Sequence, residues 1–412
     1  MRDGIADALV LTPMKLQFGR FRAAVYRTLV LILVWGWPGV AASGQQVVRL
    51  TLRDPVAVVP RTFGHVSGIF ELPDRRLVIA DDRAQLVFLA DLTRATAVQL
   101  GRQGSGPGRY KFPRALFPLG SDSVAIEDVG SGWLIVVRAN GTVGGSVGFS
   151  TRSGAKPMPD NRPVAGDTLG RLYAVEDSFY TRKGPRADSA PITRWKAGTG
   201  VRSTVGYLPQ PPPEPGPSFP GKPQRGFEVW PQLAVGADGR MAIYRVSPYS
   251  VELIGPTGNR ANGKPIPYRR YRIGAPDTLM WYEELQRPRP AVAITPSGAF
   301  QVDLFPFAPS GPVIWPRFLP PFQGGAGRFA PDGQLWIQRS VPVGQPALLD
   351  VVDGKGRLVA QISAPQGSRL LGFGRSGVFL ATREAGQREG VRLYRDPLQV
   401  EHQDTPPRRF PR

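Results

Sequence analysis

Short, wholly apolar runs recur along this chain, and each ends in a polar residue and a turn. Leu77-Val78-Ile79-Ala80 follows the turn Pro73-Asp74-Arg75-Arg76 and ends at Asp81. Val124-Ala125-Ile126 follows Ser121-Asp122-Ser123, and Leu172-Tyr173-Ala174-Val175 follows Asp167-Thr168-Leu169-Gly170. Met241-Ala242-Ile243-Tyr244 follows Asp238-Gly239, Leu335-Trp336-Ile337 follows Asp332-Gly333, and Val378-Phe379-Leu380-Ala381 follows Ser376-Gly377. Runs this short, bounded by Asp-Gly and similar pairs, predict hairpin-linked strands rather than helices. Most units carry a third run and a second turn, such as Ser250-Val251-Glu252-Leu253-Ile254 before Thr257-Gly258. A strand buried on both faces cannot be satisfied within its own unit, so the units must stack. Units of this kind, repeating at about 40 to 50 residues, predict an all-β fold, a six-bladed β-propeller.

The pattern breaks in three places. Val47-Val48-Arg49-Leu50-Thr51-Leu52 alternates apolar and polar and reads as a strand that pairs with the last blade and closes the ring. Leu208 to Gln224 is a proline-rich insertion, expected to be an exposed loop with polyproline II character. Ala275 to Phe322 is a second insertion with one short helix, Asp277 to Gln286, capped by Asp277. Within it Ala291-Val292-Ala293-Ile294-Thr295 offers an alternative, a blade of its own and a seven-bladed ring.

The first 44 residues have a different character. Lys15, Arg20, Arg22 and Arg27 precede the apolar run Leu29 to Trp35, and Val40-Ala41-Ala42-Ser43-Gly44 supplies small residues for cleavage. This is the grammar of a secretory signal peptide, with Met14 as a possible true start, and the run is too short to span a bilayer. The expected arrangement is a signal over 1–44, a single propeller domain over 45–400 and a disordered tail over 401–412. The product would be exported, to the periplasm or beyond the cell, with no transmembrane span after cleavage, and monomeric.

Composition narrows the chemistry. There is no cysteine, so no disulfide and no thiolate metal site, and two histidines, His65 and His402, leave little room for zinc. The net charge is +20, mostly from arginine. Removing residues 1–44 takes 5 of 52 basic and 2 of 32 acidic residues and leaves +17 on the exported part. Such a charge favours anionic partners, although no basic cluster alternates with aromatics as in a single-strand groove, and nucleic acid is not expected.

Gly101-Arg102-Gln103-Gly104-Ser105-Gly106-Pro107-Gly108-Arg109-Tyr110-Lys111-Phe112-Pro113 resembles the connector of exported bacterial six-bladed β-propeller proteins of the NHL-repeat-like type. Leu77 to Phe88 matches the same blade consensus. The resemblance spans roughly residues 60–396, strongest in the first two and last two blades, and implies six blades. It implies no single activity. Arg109 stands where an acidic residue is expected. A phosphate loop would need Lys-Ser/Thr and a helix after the glycines, and here a strand follows.

Aligning the six second strands places Asp81, Asp128, Glu176, Arg245, Arg339 and Thr382 at equivalent ends, with Arg383 beside the last. On one face these would make an acidic half and a basic half, a candidate ligand site formed by Asp81, Asp128, Glu176, Arg245, Arg339 and Arg383. Asp128 and Glu176 are the candidate metal carboxylates, for Ca2+. The competing role for each carboxylate is to cap its own turn. His65 is a candidate general base without a visible partner. The resulting expectation is a binding module for a protein, peptide or glycan, with no resident cofactor and no evident catalysis. A calcium-dependent lactonase-like hydrolase at the channel, and a basic surface protein docking on acidic polymers, are the alternatives.

Overall fold

Alternate residues of each apolar run point into opposite seams between blades, and this explains why the runs carry no polar face. In the computed structural model of the protein, Leu77 and Ile79 of the strand Leu77–Asp81 pack on one side with Phe63, Phe88 and Phe379, while Val78 packs on the other with Tyr110, Val124 and Ile126. The period of two continues around the molecule. Ala125 joins Leu172 and Ala174, Tyr173 joins Met241 and Ile243, and Ala242 and Tyr244 join Leu335 and Ile337. Trp336 joins Val378 and Leu380, and Phe379 and Ala381 return to the first seam. The core is therefore a ring of six apolar seams. Burying a large side chain in one is worth about 1.5–3 kcal/mol.

The structure describes residues 47–399 apart from 107, 149–161, 177–187, 200, 210–222, 288, 295–299, 306–308, 310, 376 and 385–386. The fold is a six-bladed β-propeller. Blades 1 to 4 are four-stranded meanders whose second strands are Leu77–Asp81, Val124–Asp128, Arg171–Val175 and Met241–Val246. Blades 5 and 6 use Leu335–Arg339 and Gly377–Arg383. Each first strand touches that of the next blade, and the sixth touches the first, so the ring is closed. Because every second strand runs antiparallel to its first, all six end on one face, here the upper face.

Closure is not made by the expected strand. Val48–Thr51 pairs in parallel with Leu358–Gln366 and is a fifth, outer strand of blade 5. The strand that completes blade 6 is Ala57–Phe63, antiparallel to Glu389–Tyr394. Its register shifts between Val58 and Thr62, so only Val59 and Phe63 are buried, and the alternation that marks a strand in the sequence is lost. The alternative seventh blade is instead a two-stranded hairpin, Arg289–Ile294 with Phe300–Phe305. The short helix, α1, spans Ala275–Gln286. Its N-cap is Gly274, and Asp277 sits three residues in. The Asp277 carboxylate accepts N–H bonds from Gly274 and from Val343, each 2.8 Å. The signal region, the tail and most of the proline-rich loop lie outside the described residues. Among those described, no helix is long and apolar enough to cross a membrane.

The lower face shows where part of the arginine excess goes. In the first turns of blades 1, 3 and 4 an aspartate accepts the N–H and Nε–H of the arginine just ahead of the next apolar run: Asp74 with Arg76, Asp167 with Arg171, Asp238 with Arg240. Each guanidinium, held in this way, then donates to a carbonyl of the next blade. Arg76 reaches Asn140 at 2.7 Å, Arg171 reaches Asp238 at 3.3 Å, and Arg240 reaches Gly333 at 3.1 Å. Arg375 of blade 6 reaches Pro73 of blade 1 at 3.2 Å. These arginines are inter-blade stitches rather than freely solvated charge.

Candidate functional site

On the upper face the backbone leading into a first strand meets the end of the second, and three of the six aligned residues, Asp81, Asp128 and Arg339, bond that backbone with one polarity or the other. Asp81 accepts N–H bonds from Gly64, His65 and Ala84 at 2.7–3.1 Å. Asp128 accepts from Lys111 and Phe112 at 2.7–3.1 Å and from the Ser131 hydroxyl at 2.5 Å. In blade 5 the segment leading into the first strand is Leu319-Pro320-Pro321, and two prolines have no N–H to give. There Arg339 takes the position and donates from Nε to the Pro321 carbonyl at 2.6 Å. It is 5% exposed, bonded to Asp350 at 3.2 Å and lies over Tyr249 and Tyr268.

The other aligned residues are placed differently. Glu176 is half-buried and pairs with Arg202 at 3.5 Å. Arg245 bonds Glu252, which also holds Arg260 at 2.9 Å. Thr382 is buried and faces the Gly390 carbonyl, while Arg383 is exposed. Among the described residues no group of three or more Asp, Glu, His or Cys is gathered as a metal would need. His65, which has no partner in sequence terms, has one in space. Its Nδ1 lies 2.7 Å from Asp82 Oδ1, both side chains partly exposed. The adjacency of Asp82 to the capping Asp81 was the available signal.

A groove of about 620 Å³ opens beside Asp128. Its wall is the glycine-rich connector, which doubles back so that Arg102–Gln103 pairs in parallel with Arg109–Tyr110. Gly101 turns the chain there with φ of 71°, and an added Cβ would press on the Tyr110 ring. Tyr110 is fully buried. Its hydroxyl donates to Leu100 O at 2.9 Å and accepts from Val87 N–H at 3.1 Å. That pin fixes the connector to blade 1 and leaves Arg109 and Lys111 exposed at the rim. Trp133, 47% exposed and with its indole over Gly148, lines the same groove. Asp128, Ser131 and Ile135 also line it, together with the glycines of the connector and of the outer strand. Among the described residues no carboxylate pairs with Arg109 or Lys111. The groove thus presents an aromatic surface beside two uncompensated cations. Trp133 opens the apolar run Trp133–Val137, yet, unlike the Leu134 that follows, it lies outside the seam.

On the opposite face of the strand from Asp128 lies Glu127, 3% exposed. Arg114 of the first strand lies 4.0 Å from one oxygen and Arg162, on the segment leading into blade 3, lies 3.9 Å from the other. Burial pushes the Glu127 carboxyl above its usual range. The two guanidiniums oppose that shift, and the adjacent Asp128 adds to it.

No protein-family model matches the sequence, and no curated protein matches it. Several solved structures share the architecture. A member of the DUF4221 family from Bacteroides vulgatus is 8% identical, with 85% of this chain and 99% of that chain covered and a TM-score of 0.48. Regucalcin, a calcium-binding protein from Agrobacterium tumefaciens, is 10% identical over 85% and 97%, with a TM-score of 0.40. A gluconolactonase from Xanthomonas campestris is 13% identical over 83% and 95%, with a TM-score of 0.40. At such identities the likeness concerns the fold alone.

Proposed function

We propose that this protein is an exported binding module that holds an acidic glycan in the groove of blade 2. The observation that carries this is the exposed Trp133 indole lining the same concave surface as Arg109 and Lys111. An aromatic face packs on the apolar face of a sugar ring, and unpaired cations at the rim select acidic rings over neutral ones. The net charge of +20 supports the same partner by raising its local concentration. The N-terminal signal grammar supports export.

The calcium-dependent hydrolase has less support. The oxygens of Asp128 are already occupied by two backbone N–H groups and a hydroxyl, and Glu176 is paired with Arg202. One observation favours hydrolysis by another route, the His65–Asp82 pair, in which Asp82 orients the ring for a general base.

The test is a Trp-fluorescence titration with polygalacturonate, with neutral dextran as control, at low and moderate salt. The expected result is saturable quenching by polygalacturonate alone, weaker at higher salt. Trp133→Ala should weaken it about tenfold or more. Equal response to dextran, or full affinity in Trp133→Ala, would sink the assignment. Substrate turnover lost in His65→Ala would move hydrolysis ahead.

A further inference from the structure

Glu127 differs from the other buried carboxylates on arginine. Asp167 is bonded to Arg171 at 2.6 Å, and Asp350 accepts from Arg339 at 3.2 Å, from Tyr249 at 3.0 Å and from Gln361 at 2.9 Å. Glu127 accepts no hydrogen bond among the described residues, and its two arginines stop at 3.9 and 4.0 Å, beyond bonding distance. Neither guanidinium donates to another described group. Side-chain exposure is 48% for Arg114 and 31% for Arg162. Two cations therefore share one anion, sit close enough for Arg114 to act on Arg162 as a like charge, and keep their donors open to solvent. A buried carboxylate without hydrogen bonds is costly to keep, and a paired guanidinium fork suits an oxyanion better than two separate surface cations do.

We propose that Arg114 and Arg162, at the seam of blades 2 and 3, form a binding site for an oxyanionic group, carboxylate or phosphate, with Glu127 behind them as a counter-charge that limits affinity. The site stands apart from the groove, since Asp128 lines the groove while its strand neighbour Glu127 projects to the opposite face, the side on which Ala125 meets blade 3. Glu127 faces Arg114 from its own blade, Arg162 from the segment leading into blade 3, Asp128 beside it and the apolar Leu134 opposite. Its charge opposes the bound anion, so binding should take up a proton there and strengthen as pH falls.

The experiment is a thermal-shift titration of the whole protein with inorganic phosphate and, separately, acetate, each against chloride at equal ionic strength. A ligand of the native state raises the midpoint saturably. Response to phosphate alone assigns a phosphate group, and response to both assigns a carboxylate-tolerant site. Arg114→Ala and Arg162→Ala should each abolish the rise, and Arg94→Ala, at an exposed cation outside both sites, should leave it. Glu127→Gln should tighten binding about tenfold, the effect of removing one charge at this range from a partly exposed anion. With sulfate, which keeps its charge between about pH 5 and about pH 8, affinity should rise toward low pH in the native protein and stay flat in Glu127→Gln. Near-ultraviolet circular dichroism confirms that each variant is folded. No rise with either anion, a rise that survives both arginine variants, or unchanged affinity in Glu127→Gln would each overturn the proposal.

Discussion

The stitches on the lower face make a quantitative prediction at Gly333. Its φ is 84°, and a Cβ there would collide with the Arg240 guanidinium. Gly333→Ala should therefore carry two costs. Holding an L-residue in the left-handed region costs about 1 kcal/mol. Displacing Arg240 breaks its 3.1 Å bond to the Gly333 carbonyl, a charged bond on a partly exposed arginine worth about a further 1–2 kcal/mol. The chain contains its own control. Gly170 occupies the same turn position in blade 3 with φ of 72°, but blade 2 has Ser121-Asp122-Ser123 and no arginine to stitch, and a Cβ on Gly170 meets open space. Gly170→Ala should thus show the backbone cost alone. At about 2 °C per kcal/mol for a domain of this size, calorimetry should find Tm lowered by about 2 °C for Gly170→Ala and about 5 °C for Gly333→Ala. In an Arg240→Ala background the Gly333→Ala loss should shrink to that of Gly170→Ala. Equal losses for the two glycines, or no coupling to Arg240, would refute the stitch as an energetic element.

Three further outcomes follow from the same geometry. Tyr110→Phe removes a buried hydroxyl that serves both Leu100 O and Val87 N, and should cost about 1–3 kcal/mol in urea unfolding, with groove binding weakened as the connector loosens. Arg339→Ala strands the buried Asp350 charge and should cost about 3–5 kcal/mol, against about 0–1 kcal/mol for Arg245→Ala at the aligned but half-exposed position. Glu127→Gln should be more stable than the native protein at neutral pH. Burial raises the folded carboxyl above its unfolded value, so its favourable contribution is present at acid pH and is lost as pH rises through the folded value. Tm against pH should show the gap between variant and native protein closing toward acid pH; a gap that is constant or reversed would count against it.

What was legible in the sequence was whatever the seams demand locally. A run with both faces buried must be apolar at every position, so Leu77, Val124, Leu172, Met241, Leu335 and Val378 each open a second strand where the pattern put them. Arg171 and Gly377 each extend their strand by one residue ahead of the run. The closing strand was hidden because a register shift around Pro60 and Arg61 erases its alternation, while Val48–Thr51 alternates cleanly and yet serves an outer edge. The aligned strand ends were found, but their roles depend on partners far along the chain. Whether the position calls for an acceptor or a donor is decided by N–H groups at Gly64, Lys111 and Phe112, or by their absence at Pro320 and Pro321. The groove and the Glu127 cluster join residues of two blades and a connector, which no local pattern announces.

The same distinction bears on how the basicity should be read. A net charge of +20 invites the idea of a uniformly sticky surface, whose polyanion binding would fall steeply with salt and resist any single substitution. The arginines of the lower turns do not fit that picture, because Asp74, Asp238 and Asp353 neutralise Arg76, Arg240 and Arg357 within the turn. Burial acts to raise these three carboxyls, but the bonds from their arginines outweigh it and hold them below their usual range. Among the described residues Arg109 and Lys111 have no carboxylate partner and Arg114 and Arg162 share the single Glu127, and these four lie about the end of the second strand of blade 2. Binding concentrated there should yield to a few substitutions and retain a salt-resistant part carried by Trp133, whereas a diffuse surface would show neither.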